Sequence, residues 1–119
     1  MPVVSHDQFR VSVVLYPEDG FWIAQGVQFD ITARGCSPIE ASERFNDKFG
    51  AELLMSIELG DNEPLAGVGP APKEFWEMYA NSKMRAAMDD CAIQLKDGAT
   101  PHVHQEIRIT DRRRTVQLP

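Results

Sequence analysis

The feature that most constrains the fold is a helix start at Ser37, followed by apolar residues at four-residue spacing. Ser37 can cap the free amides, Pro38 suits the first helical position, and Glu40 completes a capping box. This spacing gives a helix one apolar face, so the pattern predicts a long helix over residues 38–59 that packs on another apolar layer. The apolar ridge consists of Ala41, Phe45, Phe49, Leu53 and Ile57.

Three stretches before this helix are predicted to be extended. Residues 9–16 alternate between apolar and polar side chains, as a half-buried strand does. The turn residues 17–20 join them to a second strand, 21–26, and residues 27–34 form a third extended stretch. Because the links are short, we expect an antiparallel meander, with the long helix packed against it.

The second half of the chain has a less regular pattern. Glycines and prolines interrupt residues 60–72, and a second helix is predicted to start at about residue 72. The pattern leaves the end of this helix open, because its apolar residues can continue through Met84, Ala87 and Met88.

Two further stretches, residues 91–96 and 102–110, are predicted to be extended, and the second of them is the predicted C-terminal strand. The fold class is therefore α+β. We expect one domain over residues 1–119, in which residues 61–119 form a C-terminal extension of undetermined packing.

Charge and cysteine content narrow the functional classes. The chain carries 18 acidic and 12 basic residues, a net charge of −6, which disfavours nucleic-acid binding by the whole surface and suits a basic partner. Cys36 and Cys91 form no CxxC motif and are expected to be reduced thiols. The N-terminus does not resemble a signal peptide, and no apolar run approaches the roughly 20 residues that cross a bilayer, so we expect a cytoplasmic protein.

Three passages resemble the HicB antitoxin domain, and together they cover about residues 9–60. Residues 16–24, Tyr-Pro-Glu-Asp-Gly-Phe-Trp-Ile-Ala, are similar to the family's first hairpin, in which an acidic turn and a glycine precede an aromatic residue. Residues 35–41, Gly-Cys-Ser-Pro-Ile-Glu-Ala, resemble the family's Gly-Asp-Thr-x-x-Glu-Ala helix start. The apolar ridge is similar to the family's single long helix.

The resemblance implies a non-catalytic binding module without a cofactor. HicB antitoxins bind HicA, a small basic RNA-cleaving toxin, and cover its active site. A HicA-like toxin is therefore the expected partner, and a homo-oligomer is the expected state. Partner contacts are predicted at Glu18, Asp19, Trp22 and Asp30 from their expected exposure around the first hairpin and the sheet, and not from a family motif.

The chain departs from the family in two places. Residues 25–31 replace the family's Pro-Asp-Leu-Pro-Gly-Cys-like stretch, and the C-terminus shows a strand and the tail Arg112–Arg114 in place of a DNA-binding helical segment. DNA binding is therefore not expected. This departure favours an alternative in which the same fold acts as an acidic inhibitor of another nuclease or defence complex.

A third interpretation is a small metal- or ligand-binding enzyme domain. His102, His104 and Cys91 are the metal candidates, but they form an incomplete ligand set without diagnostic spacing. No nucleophile elbow or phosphate-binding loop is present, so we expect no enzyme activity. The aromatic cluster of Phe75, Trp76 and Tyr79 has two interpretations, core packing and a dimer interface.

Overall fold

The computed structural model describes residues 8–60, 65–82, 84–92 and 102–110. The elements in chain order are β1 Gln8–Glu18, β2 Phe21–Gly26, β3 Thr32–Gly35, α1 Pro38–Glu58, α2 Lys73–Asn81, β4 Met84–Ala92 and β5 His102–Ile109. The strands form one sheet in the order β3-β2-β1-β5-β4, and the α+β class is as expected. Neither helix within these ranges combines the length and apolarity that a membrane crossing needs.

The predicted meander is present, but its third strand is shorter than expected. Strand β3 begins at Thr32, whereas extended structure was predicted over residues 27–34. Residues 27–31 form a loop because their backbone groups do not bond to β2 as those of β3 do. Instead, the Val27 amide donates to Ser12 O and the Asp30 amide donates to Gly69 O. A pattern of alternating apolar residues cannot distinguish a strand from a loop that buries the same side chains.

The long helix starts as the capping box predicts. The Glu40 amide donates to Ser37 Oγ at 3.1 Å, and the Cys36 amide donates to Glu40 Oε1 at 2.7 Å. Together these two bonds satisfy two amides around the helix start. The helix ends at Glu58, one residue before the predicted end, and Gly60 follows with φ 83°.

The main core lies between α1 and one face of the sheet. Phe45 and Phe49 stack with their ring centroids 5.9 Å apart. Apolar residues from β1, β2 and β5 meet this ridge, so the predicted packing of helix on sheet is confirmed. The buried members are Val11, Val13, Leu15, Ala24, Ile31, Ala41, Phe45, Phe49, Leu53, Leu65 and Ile107.

A smaller core lies on the opposite face of the sheet, under α2. Phe75 packs against Tyr16 with a centroid distance of 5.8 Å, and Val14 and Ala71 complete the buried cluster. The sheet therefore has one helix on each face. This explains why β1 carries consecutive buried residues. A strand that is covered on one face only would alternate between buried and exposed residues.

Two features of the C-terminal half differ from the sequence prediction. The second helix ends at Asn81, and Met84, Ala87 and Met88 belong to strand β4, because pairing with β5 satisfies their backbone groups. Strand β5 runs parallel to β1, so the sheet is mixed where an antiparallel one was predicted. Strand β4 includes the first two residues of the predicted extended stretch 91–96, and residues 93–96 lie outside the described residues.

Candidate functional site

The first hairpin presents two carboxylates at its tip. Glu18 pairs with Phe21, which leaves Asp19 and Gly20 as a two-residue loop with φ values of 54° and 81°. A loop with two positive φ values matches the twist of the flanking strands, and Asp-Gly is among its preferred sequences. Asp19 is exposed and Glu18 is half-buried, so the two residues form an acidic end to the hairpin.

An aromatic side chain lies beside these carboxylates. Phe21 is 38% exposed, and the Arg34 guanidinium carbon lies 4.7 Å from its ring centroid. This cation–π contact orients a large apolar group that water still reaches. We call Glu18, Asp19, Phe21 and Arg34 the hairpin-tip surface.

An open cleft of about 340 Å³ adjoins the hairpin-tip surface on the sheet face that α2 covers only in part. Phe75 of α2 lines one side, and the floor comes from strands β1, β2 and β3. The lining includes Tyr16, Glu18, Ile23, Gln25, Arg34 and Phe75. One acidic side chain, one basic side chain and two aromatic rings therefore line a space that is large enough for one or two side chains of a partner.

A hydrogen-bonded amide lies at the floor of this cleft. Gln25 is 2% exposed, and its Nε2 donates to Gly26 O at 2.8 Å and to Asp30 Oδ1 at 2.9 Å. Gln28 lies with Asp30 in the 27–31 loop. Its side-chain amide donates to Ser12 Oγ at 2.9 Å and accepts from the Ser12 backbone amide at 2.7 Å. These bonds join the 27–31 loop to β1 and β2, and they hold the Asp30 carboxylate in place.

The four predicted partner contacts do not lie together. Glu18 and Asp19 lie at the hairpin tip, whereas Asp30 is exposed near the other end of β2. Trp22 packs against the main core, on the sheet face that α1 covers. Phe21 was missed, although strand alternation puts it on the face opposite to Trp22 and would have drawn attention to it.

The aromatic residues of α2 have three different environments. Phe75 is 4% exposed and belongs to the smaller core. The Tyr79 ring lies 4.2 Å from the Arg108 guanidinium carbon. Trp76 is 42% exposed, and its Nε1 donates to Ala71 O at 3.0 Å. Packing therefore accounts for Phe75 and Tyr79, and only Trp76 presents a large ring surface outward.

The metal candidates occupy neighbouring strands but different register positions. His102 pairs with Ala92 and His104 pairs with Asp90, whereas Cys91 pairs with Val103, between the two histidines. Residues alternate between sheet faces, so this register puts Cys91 on the opposite face from the two histidine positions. Within the described ranges, no three His, Cys, Asp or Glu residues group as metal ligands would.

The carboxylates of α1 stabilise the helix or face solvent. The Cys36 amide and the Arg44 guanidinium lower the pKa of Glu40, which is half-buried. Arg44 Nη2 lies 3.7 Å from Glu40 Oε2, an ion pair one helical turn apart. Glu43 and Asp47 are exposed on the same helix. These groups match a solvated helix face with a capped start.

Comparison of the chain with protein-family models, with curated proteins and with solved structures found no match. The chain's own residues and geometry therefore carry the functional assignment. Among the described residues, the hairpin-tip surface and its cleft combine exposed aromatic area, charge and concave shape.

Proposed function

We propose that this chain is a non-catalytic protein-binding module that resembles a HicB antitoxin and neutralises a small basic RNA-cleaving toxin by covering its active site. The observation that carries this proposal is the hairpin-tip surface, where exposed Phe21 lies beside an acidic turn and where Glu18 and Arg34 also line an open cleft. Exposed aromatic residues beside charged groups are typical anchors of protein interfaces. The partner is HicA-like, and no cofactor takes part.

Charge supports an encounter with a basic protein. The net charge is −6, and Asp19 is exposed at the end of the hairpin. Opposite charges on two proteins raise the association rate, and salt reduces the effect because it screens exposed charges. An RNA-cleaving enzyme needs positive charge around its active site to hold phosphates, so an acidic surface suits the covering of such a site.

The cleft gives the complex a place for a partner side chain. Glu18 lies on its wall and Phe75 and Tyr16 supply apolar area, a combination that fits the aliphatic stem and charged end of a lysine or arginine. We further propose that the protein acts in the cytoplasm as a homo-oligomer.

The test uses the small basic protein that this proposal expects a neighbouring reading frame to encode. The full chain should co-purify with it and suppress its RNA cleavage at equal molar amounts. The variant Asp19→Asn with Phe21→Ala should raise the Kd by about 30-fold or more, because loss of an aromatic anchor typically costs ~2 kcal/mol. Asparagine tolerates the positive φ of position 19, so the hairpin should keep its turn.

The matched control changes the same residue classes on α1. Asp47→Asn with Ile39→Ala removes one exposed carboxylate and one exposed apolar side chain, and it should leave the Kd within about two-fold of the unmodified chain. A tight complex that the hairpin variant binds equally well would overturn the proposal. So would RNA cleavage that continues with the full chain in excess.

Two outcomes would favour the alternatives. A complex with a nuclease or defence protein of another kind, weakened by the same hairpin variant, would favour the acidic inhibitor. Stoichiometric metal in the purified protein, lost with His102→Ala and His104→Ala, would favour the metal-binding domain.

A further inference from the structure

The side-chain amide of Gln25 has one atom without a hydrogen-bond partner. Its Nε2 donates to two acceptors, Gly26 O at 2.8 Å and Asp30 Oδ1 at 2.9 Å. These acceptors fix the orientation of the amide, because its oxygen has no hydrogen to give them. Oε1 is the atom that remains, and no donor in the part of the chain that the structure describes bonds to it.

This oxygen opens into the cleft on the α2 face of the sheet. Gln25 is 2% exposed and lines the cleft, and strand alternation puts it on the same face as Ile23, which packs against the smaller core. Among the described residues, the fully enclosed acceptors without a partner are Asn46 Oδ1 and Gln105 Oε1, so Gln25 Oε1 still reaches open space. A buried amide whose free acceptor opens into a cleft suits a donor from a bound group.

We propose that the Gln25 end of the cleft receives the guanidinium of an arginine side chain from the protein partner, and that Gln25 Oε1 accepts a hydrogen bond from it. This arginine site rests on the protein-binding function proposed above and deepens it, because it names the group that the partner inserts. Gln25 is then the residue that selects this group.

The charges around the cleft favour a cation at this end. The Asp30 carboxylate accepts from Gln25 Nε2, and a carboxylate on one side of an amide polarises it, so that the amide oxygen becomes a stronger acceptor. Arg34 also lines the cleft, but its guanidinium carbon lies 4.7 Å from the Phe21 ring centroid. Phe21 pairs with Glu18 at the hairpin tip, so the charge of Arg34 lies toward the end away from Gln25.

The length of the cleft requires a long side chain. Gln25 pairs with Val14 and Phe21 pairs with Glu18, so four residues of β1, about 13 Å, separate the two ends. A partner that contacts the hairpin-tip surface can therefore reach Gln25 only with a long side chain. Lysine and arginine have such side chains, and their apolar stems can lie over Ile23.

The surroundings of the oxygen select arginine over lysine. Tyr16, Ile23 and Phe75 supply apolar walls, and the acceptor beside them is a neutral carbonyl. A lysine ammonium is a compact and strongly hydrated charge, so it loses more on leaving water for a single neutral acceptor. A guanidinium is planar and more weakly hydrated, and its N–H groups point in several fixed directions in one plane.

Titration of the unmodified chain with a blocked Gly-Arg-Gly peptide, followed by proton–nitrogen NMR, tests this site without the partner. The side-chain amide resonances of Gln25 should shift. The Kd should be at least about five-fold lower than that of a blocked Gly-Lys-Gly peptide, which is the effect of roughly one net hydrogen bond. Equal Kd values for the two peptides, or shifts confined to residues outside the cleft, would overturn the proposal.

A pair of glutamine variants tests the acceptor. Gln25→Met removes the oxygen and keeps a side chain of similar length, so the Kd of Gly-Arg-Gly should rise by about five-fold and its advantage over Gly-Lys-Gly should disappear. Gln28→Met is the matched control, because it removes the bonds between the 27–31 loop and Ser12 from a residue outside the cleft lining. It should leave the Kd within about two-fold. An arginine preference that survives Gln25→Met would contradict the assignment.

Two variants of Asp30 test the orientation of the amide, and they provide the comparison if Gln25→Met fails to fold. Asp30→Ala removes the acceptor of Gln25 Nε2, so the amide can turn a donor toward the cleft and binding of Gly-Arg-Gly should weaken. Asp30→Asn keeps an oxygen that can accept from Nε2, so it should recover part of the binding. An unchanged Kd in Asp30→Ala would show that the amide orientation does not matter and would count against the site.

The arginine site and the toxin-binding function can fail separately. A toxin complex that Asp19→Asn with Phe21→Ala weakens, but that Gln25→Met leaves unchanged, would support toxin binding and overturn the arginine site. Gly-Arg-Gly binding at Gln25 in a chain that forms no complex with the basic RNA-cleaving protein would support the site and overturn the toxin-binding function.

Discussion

Gly35 determines how closely β3 approaches the start of α1. A Cβ atom at this position would lie 2.5 Å from the Ala41 backbone nitrogen and 2.8 Å from the Glu40 carbonyl carbon. Real Cβ atoms do not approach backbone atoms so closely, and backbone cannot rotate away as a side chain can. The absence of a side chain at Gly35 therefore allows the capping box to sit directly against the sheet.

We expect Gly35→Ala to lower the free energy of unfolding by about 1–3 kcal/mol, because the added methyl group forces the helix start away from β3. Urea denaturation measures the change. Gly67→Ala is the matched control, since a Cβ there meets nothing within 4 Å. Equal stability of the two variants would show that the helix start shifts at no cost.

Glu40 links stability to pH. Its pKa is lowered from 4.5 by the Cys36 amide and by Arg44, so the folded state favours the ionised carboxylate. A lowered folded-state pKa gives stability that is present above the unfolded-state pKa and lost as pH falls through the folded-state value. Glu40→Gln should therefore be less stable than the unmodified chain near neutral pH, and the difference should vanish in acid.

Thermal unfolding over a pH series measures this difference. Glu43→Gln, on the exposed side of the same helix, should show a smaller difference near neutral pH. If the Glu40→Gln difference persisted unchanged in acid, ionisation would not be the source of the stability.

At the scale of elements, the 27–31 loop explains how α2 reaches its face of the sheet. The Asp30 amide donates to Gly69 O, and the Ala71 amide donates to Val27 O. These two bonds fix the segment before α2 against the loop after β2. The loop thus replaces a longer third strand and serves as the attachment point of the second helix.

Arg108 holds the other end of α2. Its Nη1 donates to Tyr79 O at 3.1 Å and to Ser82 O at 3.3 Å, and its Nε donates to Glu106 at 3.2 Å. A cation at a helix C-terminus satisfies carbonyls that lack an intrahelical partner and interacts well with the helix dipole.

We expect Arg108→Met to destabilise the protein by about 1–3 kcal/mol, because the two carbonyls lose a charged donor while the apolar stem is kept. Hydrogen exchange should rise in residues 73–81 more than in α1. Arg10→Met, an exposed arginine on β1, serves as the control and should change stability little. Equal exchange in the two helices would contradict a local role of Arg108.

The basic side chains of α1 that bond to the outer edge of β3 are expected to prevent aggregation. Arg44→Ala with Lys48→Ala exposes the outer carbonyls of Thr32 and Arg34, so aggregation should increase while stability changes little. Light scattering during incubation near the unfolding temperature measures aggregation. Arg10→Ala with Lys73→Ala removes the same net charge at two exposed positions elsewhere, so a similar rise in that control would attribute the effect to charge alone.

At the scale of the whole molecule, β1 is the centre of the fold. It pairs with β2 on one side and β5 on the other, α1 packs on one face, and α2 packs on the other. Val13 and Val14 are consecutive residues, and each is fully buried in a different core. Both halves of the chain are therefore needed to cover this strand.

A fragment of residues 8–60 should consequently lack a cooperative fold. It retains the meander and α1, but it exposes the buried face of Val14 and Tyr16 and leaves the β5 side of β1 unpaired. Circular dichroism during heating and a proton–nitrogen NMR spectrum measure this. A dispersed spectrum with a sharp thermal transition would show that residues 61–119 are an appendage.

Short sequence motifs predicted the structural features that are held together by residues close to each other in the chain. The capping box at Ser37 and Glu40 and the Asp19-Gly20 turn involve residues within four positions of each other, so short sequence spacing specifies them. The acidic hairpin tip followed from the same turn. Phe21, the aromatic neighbour of this tip, was missed. Alternation places Phe21 and Trp22 on opposite faces of β2, but it does not say which of the two faces α1 covers.

The sequence by itself determined the meander, the long capped helix and the apolar ridge that joins them, because each follows from propensity and periodicity along a continuous segment. Only the tertiary structure decided that residues 84–92 form a strand, that β5 enters beside β1 in parallel, and that α2 takes the second face. These features depend on pairings between residues up to about ninety positions apart, such as Gln8 with His102. Alternation within one segment carries no information about which distant strand will complete its hydrogen bonds.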